Sequence, residues 1–334
     1  QQIWLDNLTR QLLDSGELAR WIADDAIAGV TSNPAIFYNA IRNDAAYQAA
    51  LAELKTTAVD AEKRFESLVL PDIRQACDLL AATHAQSGCN AGFVSFEVSP
   101  ALANDAAGTL AAARRLWAEI DRPNAMIKIP ATPAGIEAIA DAIADGINVN
   151  VTLIFSPKQL AAVQGAYHTG IERRFSAGFP VDRISSVASV FISRVDSLLD
   201  PRLPATLQGK TAIAFAAAAY GEWLSLPPLP GGARQQMLLW ASTSTKNATY
   251  RDVIYVEELI GRGTVNTVPD ATLAAFRDHG EAAERLSGHV SDAAAQLAAV
   301  AAAGVDLEAA GEELLDAGLK QFDDAFAKLL ALVV

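Results

Sequence analysis

Short segments in which polar and apolar residues alternate recur along the chain, separated by longer stretches with helical spacing. Eight of these segments predict β-strands, centred near Asp6, Thr31, Ser95, Lys128, Asn150, Ser189, Trp240 and Tyr255. Strands that alternate with helices pair in parallel. Eight such units in a chain of 334 residues predict an α/β fold, a (β/α)8 TIM barrel with extra helices, as a single domain over residues 1–334.

The last of these strands is expected in Asp252–Gly261, which reads DVIYVEELIG. The second to fifth strands share an ending, in which a polar residue stands before a proline: TSNP, EVSP, KIPATP and LIFSP. Such polar residues cap helix N-termini, and proline suits the first helical position. The repeat therefore predicts loops that lead from strand to helix on one rim. After KIPATP we expect a helix capped by Thr132, opened by Pro133 and ended by Gly146.

Polar residues that face inward cluster at or near the carboxyl ends of the predicted strands: Asp6, Asn33, Glu97, Lys128 and Asn150. Barrel enzymes hold their active sites on that rim. Lys128 is unusual because the rest of its strand is apolar. A lysine that points into an apolar interior must find a partner or lose its proton. Lys128 is therefore either an ion-paired lysine or an amine nucleophile.

The other polar residues on the rim favour the nucleophile. A desolvated amine is partly neutral and attacks a carbonyl. The protonated imine that forms withdraws electrons, so that a carbon–carbon bond breaks without any cofactor. Glu97 and Asp6 are the candidate groups for the proton transfers. Each also fits an ion-pair partner of Lys128, and one carboxylate is able to serve in both ways.

The composition of the chain indicates which classes of partner and which cellular compartment to expect. The formal net charge of −13 argues against a nucleic-acid partner. Cys77 and Cys89 form no disulfide framework, which suits a reducing cytosol. No apolar run is long enough to span a membrane. We expect a cytoplasmic protein without signal peptide, membrane partner or cofactor. The four histidines show no HxH or HExxH spacing, so we expect no metal site.

An anionic substrate would depend on a few basic side chains. Arg194 follows the sixth predicted strand and Lys246 follows the seventh. Loops after strands seven and eight often hold phosphate in such barrels. Two plainer interpretations stay open, because Arg194 also fits a salt bridge with Asp196 and Lys246 a solvated loop charge.

Six segments, in chain order, resemble the transaldolase family: WLDNLTR, GVTSNPAIF, FVSFEV, MIKIPAT, GINVNVTLIF and SVFISRVD. The resemblance covers essentially the whole chain. It implies a class I aldolase-like barrel and a cofactor-independent transferase of the non-oxidative pentose phosphate pathway. The implied partners are sugar phosphates. A dihydroxyacetone unit would pass from sedoheptulose 7-phosphate or fructose 6-phosphate to glyceraldehyde 3-phosphate or erythrose 4-phosphate.

The resemblance is strongest to a bacterial branch that includes fusions to glucose-6-phosphate isomerase. It therefore also implies a covalent fusion to, or association with, such a domain. By motif position, Lys128 would form the Schiff base and Asp6 would handle the proton of the cleaved hydroxyl. Glu97 would act as acid and base through a water that Thr152 helps to hold.

The resemblance implies substrate contacts from eight further residues: Thr31, Asn33, Asn150, Ser189, Phe191, Arg194, Ser242 and Lys246. Many members carry a serine and an arginine close together after the seventh strand. Ser242 matches the serine, and Lys246 is our substitute for the arginine. A lysine holds phosphate as a point charge, without the bidentate fork of a guanidinium.

Two other functions stay open. The small fructose 6-phosphate aldolase relatives release free dihydroxyacetone, and they carry Gln and Tyr where transaldolases have Glu and Phe. This chain has Glu97 and Phe191 and is much longer, which favours transfer over release. The other alternative is a non-catalytic barrel that binds sugar phosphates. The set of Asp6, Glu97 and Lys128 argues against it, because an idle barrel has no reason to keep a costly buried lysine.

Overall fold

A computed structural model describes residues 1–334. Eight parallel strands close into a barrel in chain order, with β1 paired to β8. This confirms the predicted (β/α)8 TIM barrel. The strands are β1 (Gln2–Leu5), β2 (Ile27–Thr31), β3 (Phe93–Glu97), β4 (Ala125–Pro130), β5 (Val149–Ile154), β6 (Ser186–Phe191), β7 (Met237–Ala241) and β8 (Val265–Val268).

Helices surround the strands and include several beyond one helix for each strand. The α-helices are α1 (Arg10–Asp14), α2 (Glu17–Asp24), α3 (Pro34–Asn43), α4 (Gln48–Leu54), α5 (Ala61–Gln86), α6 (Ala106–Ile120), α7 (Pro133–Asp145), α8 (Pro157–Ser176), α9 (Ser193–Leu199), α10 (Thr211–Leu224), α11 (Ile254–Glu257), α12 (Asp270–His279), α13 (Leu286–Ala302) and α14 (Leu307–Val333). Short 3-10 turns occur at Ala45–Tyr47, Pro100–Leu102, Asp200–Arg202 and Pro230–Gly232.

The repeated strand endings start helices, as their chemistry predicts. Asn33, Thr132 and Ser156 each accept a hydrogen bond from the backbone N–H three residues later, at the start of α3, α7 and α8. Each of these helices has proline in its first turn. Gly146 ends α7 with φ at +92°, a backbone conformation that glycine adopts without a steric penalty. At EVSP, Ser99 makes no such bond, and a 3-10 turn follows.

The eighth strand lies later in the chain than predicted. Within Asp252–Gly261, residues 254–257 form the short helix α11, and the strand is β8 at Val265–Val268. The prediction of a strand in Asp252–Gly261 was wrong. Tyr255 and Leu259 are both buried, and their spacing of four residues suits a helical turn rather than a strand. The true strand has only four residues and therefore gives a weak periodic signal.

The long helix α14 lies against the carboxyl end of the barrel. It contacts α3, α5, α9 and β5. Its glycines approach the rim closely, since a Cβ atom at Gly311 would lie 2.6 Å from the Cβ of Ser156. This arrangement brings the last helix of the chain to the rim on which the predicted site residues stand.

No single helix is long and apolar enough to cross a membrane. Helices α13 and α14 reach the required length and composition only as a pair, and they are bent by 84° relative to each other.

Candidate active site

The register of three neighbouring strands aligns Glu97, Lys128 and Asn150. Glu97 on β3 pairs with Lys128 on β4, and Lys128 pairs with Asn150 on β5. Residues that are opposite each other in a ladder point to the same face of the sheet. The three side chains therefore share one layer inside the barrel, and Thr152, two residues after Asn150, follows on the same face.

Lys128 is a buried cation with two close partners. Its Nζ donates a hydrogen bond to the backbone oxygen of Ser32 at 3.0 Å. Oε2 of Glu97 lies 3.3 Å from the same nitrogen, and the two side chains are only 7% and 6% exposed. The sequence left open whether Lys128 is an ion-paired lysine or an amine nucleophile. The structure is compatible with both, because Lys128 forms an ion pair with Glu97 and also lines the cavity described below.

Burial raises the pKa of Glu97 to about 7, and the positive charge of Lys128 opposes this shift. Oε2 of Glu97 has no hydrogen-bond partner apart from the nearby ammonium, and Oγ1 of Thr152 is buried without any partner. A carboxyl group with a pKa near neutrality exchanges protons readily at the pH of most metabolism. Glu97 therefore has the properties of an acid/base group.

Asp6 ends a short chain of hydroxyl groups. The Oγ1 of Thr31 donates to Oδ1 of Asp6 at 2.7 Å and lies 2.6 Å from Oγ1 of Thr267. Thr31 has one hydroxyl proton, so Thr267 is the donor in the second bond. Burial raises the pKa of Asp6, while Lys128 and the bond from Thr31 act in the opposite direction. Thr267 was missed from the sequence because its strand was placed too early in the chain.

Asn150 is held by two hydroxyl groups in the barrel interior. Its Nδ2 donates to Oγ of Ser95 at 2.9 Å, and its Oδ1 accepts from Oγ of Ser189 at 2.7 Å. Asn33 is fixed differently, because its side chain caps α3. These bonds give both asparagines a defined orientation toward the same space.

The far end of this space is positively charged. Arg194 on α9 forms no salt bridge with Asp196, which instead accepts bonds from Tyr255 and from the backbone of Ala212. The plainer interpretation of Arg194 is therefore wrong. Burial lowers the pKa of Arg194. Burial and the charge of Arg194 both lower the pKa of Lys246, and neither cation has an acidic partner.

Hydroxyl and aromatic groups complete this end. Nζ of Lys246 donates to Oγ of Ser244 at 2.8 Å. Oγ of Ser242 lies 3.1 Å from Oγ of Ser193, and Ser242 has a φ of +54°, in the left-handed region that costs a residue with a Cβ atom some strain. The guanidinium of Arg194 lies 5.1 Å from the ring centre of Phe191, a cation–π contact.

Most of these side chains surround one cavity of about 210 Å³. Every residue predicted for the site lines it except Glu97, which contacts Lys128. The cavity has five lining residues that the sequence did not indicate: Ala241, Ser244, Thr267, Pro269 and Phe322. No group of three or more His, Cys, Asp or Glu side chains is arranged to hold a metal ion.

The charge of the cavity differs from that of the whole protein. Lys128, Arg194 and Lys246 line it, with Asp6 as the only carboxylate in its wall. The chain as a whole has a net charge of −13. A cavity of this kind attracts an anionic group locally, and it directs that group away from Asp6 and toward Arg194 and Lys246.

Comparison with known proteins gives a consistent result. The chain matches the family model described as Transaldolase/Fructose-6-phosphate aldolase over residues 3–333. A transaldolase of Neisseria gonorrhoeae is 52% identical over 341 residues, covering 100% of this chain and 97% of that protein. A transaldolase of Thiobacillus denitrificans is 49% identical, covering 99% and 96%. One of Frankia alni is 44% identical, covering 99% and 93%. The chain belongs to the transaldolase/fructose-6-phosphate aldolase family.

Proposed function

We propose that this protein is a transferase that catalyses the transaldolase reaction of the pentose phosphate pathway, through a Schiff base on Lys128. Full-length similarity to transaldolases supports the reaction. The observation that carries the mechanism is the buried pair of Lys128 and Glu97, with Nζ and Oε2 3.3 Å apart, in a cavity whose other end is cationic.

The first step makes the nucleophile. The ammonium of Lys128 gives a proton to the carboxylate of Glu97, whose pKa of about 7 suits a group that accepts and returns protons. The neutral amine attacks the ketone carbon of the substrate. Glu97 then supplies a proton to the oxygen that leaves as water, and a protonated imine remains. The unpartnered oxygens of Glu97 and Thr152 support a water between them as the proton carrier.

The second step breaks the carbon–carbon bond. Asp6 takes the proton of the substrate hydroxyl, and the electrons of the breaking bond move into the protonated imine. An aldose phosphate leaves, and a three-carbon enamine stays on Lys128. Asp6 suits this role because burial raises its pKa, which favours gain of a proton. The acceptor aldose phosphate then reverses these steps and carries the dihydroxyacetone unit away.

The cationic end of the cavity gives sugar phosphates a place to bind. We propose that Arg194 and Lys246 hold the phosphate, because both cations lack an acidic partner. The remaining contacts to the sugar would come from Thr31, Asn33, Asn150, Ser189, Phe191 and Ser242. No cofactor enters any of these steps.

We further propose a single catalytic domain over residues 1–334 and a cytoplasmic location. The two free cysteines, Cys77 and Cys89, support a reducing compartment. The expected fusion to a glucose-6-phosphate isomerase finds no support. The chain covers 97% and 96% of the relatives from Neisseria gonorrhoeae and Thiobacillus denitrificans, which leaves no length in those proteins for a second domain.

Borohydride trapping tests the mechanism. The protein is incubated with fructose 6-phosphate and sodium borohydride, and its peptides are analysed by mass spectrometry. We expect a three-carbon adduct on Lys128. Lys128→Met should lose both adduct and turnover, whereas Lys246→Met, which alters another lysine of the same cavity, should keep the adduct. Absence of an adduct on Lys128 in the wild-type protein would refute the Schiff base and would leave a sugar-phosphate-binding barrel.

The products distinguish release of free dihydroxyacetone from its transfer to an acceptor. Fructose 6-phosphate is supplied with and without erythrose 4-phosphate, and sedoheptulose 7-phosphate and free dihydroxyacetone are measured. We expect sedoheptulose 7-phosphate as the main product when the acceptor is present and little free dihydroxyacetone in either case. Rapid release without acceptor would instead identify an aldolase of the fructose 6-phosphate type.

A further inference from the structure

Phe322 is the aromatic residue that α14 contributes to the cavity. Its ring centre lies 5.5 Å from Nζ of Lys128, and the ring is part of the cavity wall. Unlike Phe326, one turn later on the same helix, Phe322 is only partly buried. An apolar ring that stays partly exposed beside a buried amine gives up some of the stability that full burial provides.

The backbone of α14 explains how this ring reaches the site. Gly318 precedes Phe322 by four residues, so both lie on the same face of the helix. A Cβ atom at Gly318 would lie 3.0 Å from the side chain of Leu153 and 3.7 Å from Nη1 of Arg194. The helix axis therefore runs close to the rim, and the next side chain on that face extends over Lys128.

The position of the ring bears on the fate of the bound three-carbon unit. In the release reaction, the enamine carbon takes up a proton, and water then adds to the carbon of the protonated imine. The carbon–nitrogen bond breaks, which frees dihydroxyacetone and regenerates the Lys128 amine. One water is consumed and nothing is oxidised or reduced. Transfer requires that this water attack be slower than capture by the acceptor aldehyde.

We propose that Phe322 is a specificity-determining residue that covers the Lys128 imine and keeps water from it, so that transfer outpaces release. This inference rests on the proposed Schiff-base function. The ring acts in two ways. Its π face attracts the positive nitrogen of the protonated imine, and its apolar surface occupies space from which water would approach.

A matched pair of substitutions on α14 tests the inference. Phe322→Leu and Phe326→Leu make the same chemical change one helical turn apart. Phe326 packs at 5.9 Å from the ring of Phe65 and does not line the cavity. With fructose 6-phosphate as donor, the measurement is the ratio of free dihydroxyacetone released without acceptor to sedoheptulose 7-phosphate formed with erythrose 4-phosphate. We expect the ratio to rise about 2- to 30-fold in Phe322→Leu, the range of a cation–π contact, and to stay at the wild-type value in Phe326→Leu.

Phe322→Ala extends the test and should raise the ratio further, because it opens the cavity wall. An unchanged ratio in both Phe322 variants would overturn the inference. An equal rise in Phe326→Leu would also overturn it, since the effect would then come from the docking of the whole helix. If Phe322→Ala does not fold, Phe322→Leu decides the question alone. Loss of the adduct on wild-type Lys128 would refute the proposed function instead, so the two failures are distinguishable.

Discussion

The two ends of the cavity are built in opposite ways. At one end, Lys128 and Glu97 form a buried pair on adjacent strands, and the strand register fixes their distance. At the other end, Arg194 stands at the start of a short helix and Lys246 in a loop, and no carboxylate balances either charge. The first end holds opposite charges, between which we propose a proton exchange, and the second holds positive charge that we propose a substrate phosphate balances.

This difference predicts that substitutions at the two ends affect different kinetic constants. A group that acts on reacting atoms affects the transition state more than the bound substrate, so its loss lowers kcat. A group that holds a remote phosphate contributes to both states alike, so its loss raises KM. We expect substitutions at the two ends to divide along this line.

Among the substitutions at the two ends of the cavity, Glu97→Gln should cause the largest loss of activity. Glutamine keeps the shape of the side chain but neither accepts nor returns a proton. We expect kcat to fall by roughly 10²- to 10⁴-fold, the usual share of general acid–base catalysis, with KM changed much less. Steady-state kinetics with fructose 6-phosphate and an acceptor measure this. A kcat within a few-fold of wild type would remove Glu97 from the mechanism.

The same variant has a signature in stability. The pKa of Glu97 is raised from 4.5 to about 7 in the folded protein, so between these values the folded state binds more protons than the unfolded state. The stability that this group contributes is full below pH 4.5 and is lost as the pH rises to about 7. Urea denaturation at pH 5 and pH 8 measures the free energy of unfolding, which should fall less between these pH values in Glu97→Gln than in the wild-type protein. A fall as large as that of the wild type would contradict the raised pKa.

Arg194→Leu should have the next largest effect, on KM. A hydrogen bond to a charged group contributes about 1.5–3 kcal/mol, so we expect KM for sugar phosphates to rise roughly 10- to 100-fold. Lys246→Leu should raise KM only a few-fold, because an exposed charge contributes about 0–1 kcal/mol. Arg202→Leu, which removes an exposed arginine paired with Glu313, is the control and should leave KM unchanged. A fall in kcat with constant KM would break the division between the two ends.

Thr267→Val should have the smaller of the two effects on kcat. It removes the hydroxyl that donates to Thr31 but keeps the bond from Thr31 to Asp6. Loss of one neutral hydrogen bond of about 1 kcal/mol predicts a fall in kcat of about 5-fold. Thr264→Val, just before the amino end of the same strand, should leave kcat at the wild-type value. A Thr267→Val variant with full activity would show that Asp6 works without the hydroxyl chain.

The positions that the sequence predicted correctly are those with local signals. Asn33, Thr132 and Ser156 cap helices in the way that their neighbouring prolines suggest. The alternation around Lys128 and Asn150 places both side chains in the barrel interior. The positions that it missed have no such signal. Thr267 lies on a strand of four residues, and Phe322 is one aromatic residue in a long amphipathic helix.

The repeated strand–cap–helix units and the chemistry of their endings follow from local sequence, because alternation and capping depend on residues a few positions apart. Which endings meet depends on the closed barrel. Closure of the barrel brings Thr267 to Thr31, and the return of α14 brings Phe322 over Lys128. Burial by the whole barrel raises the pKa of Glu97 to about 7. These effects depend on contacts between residues far apart in the chain, which no local pattern specifies.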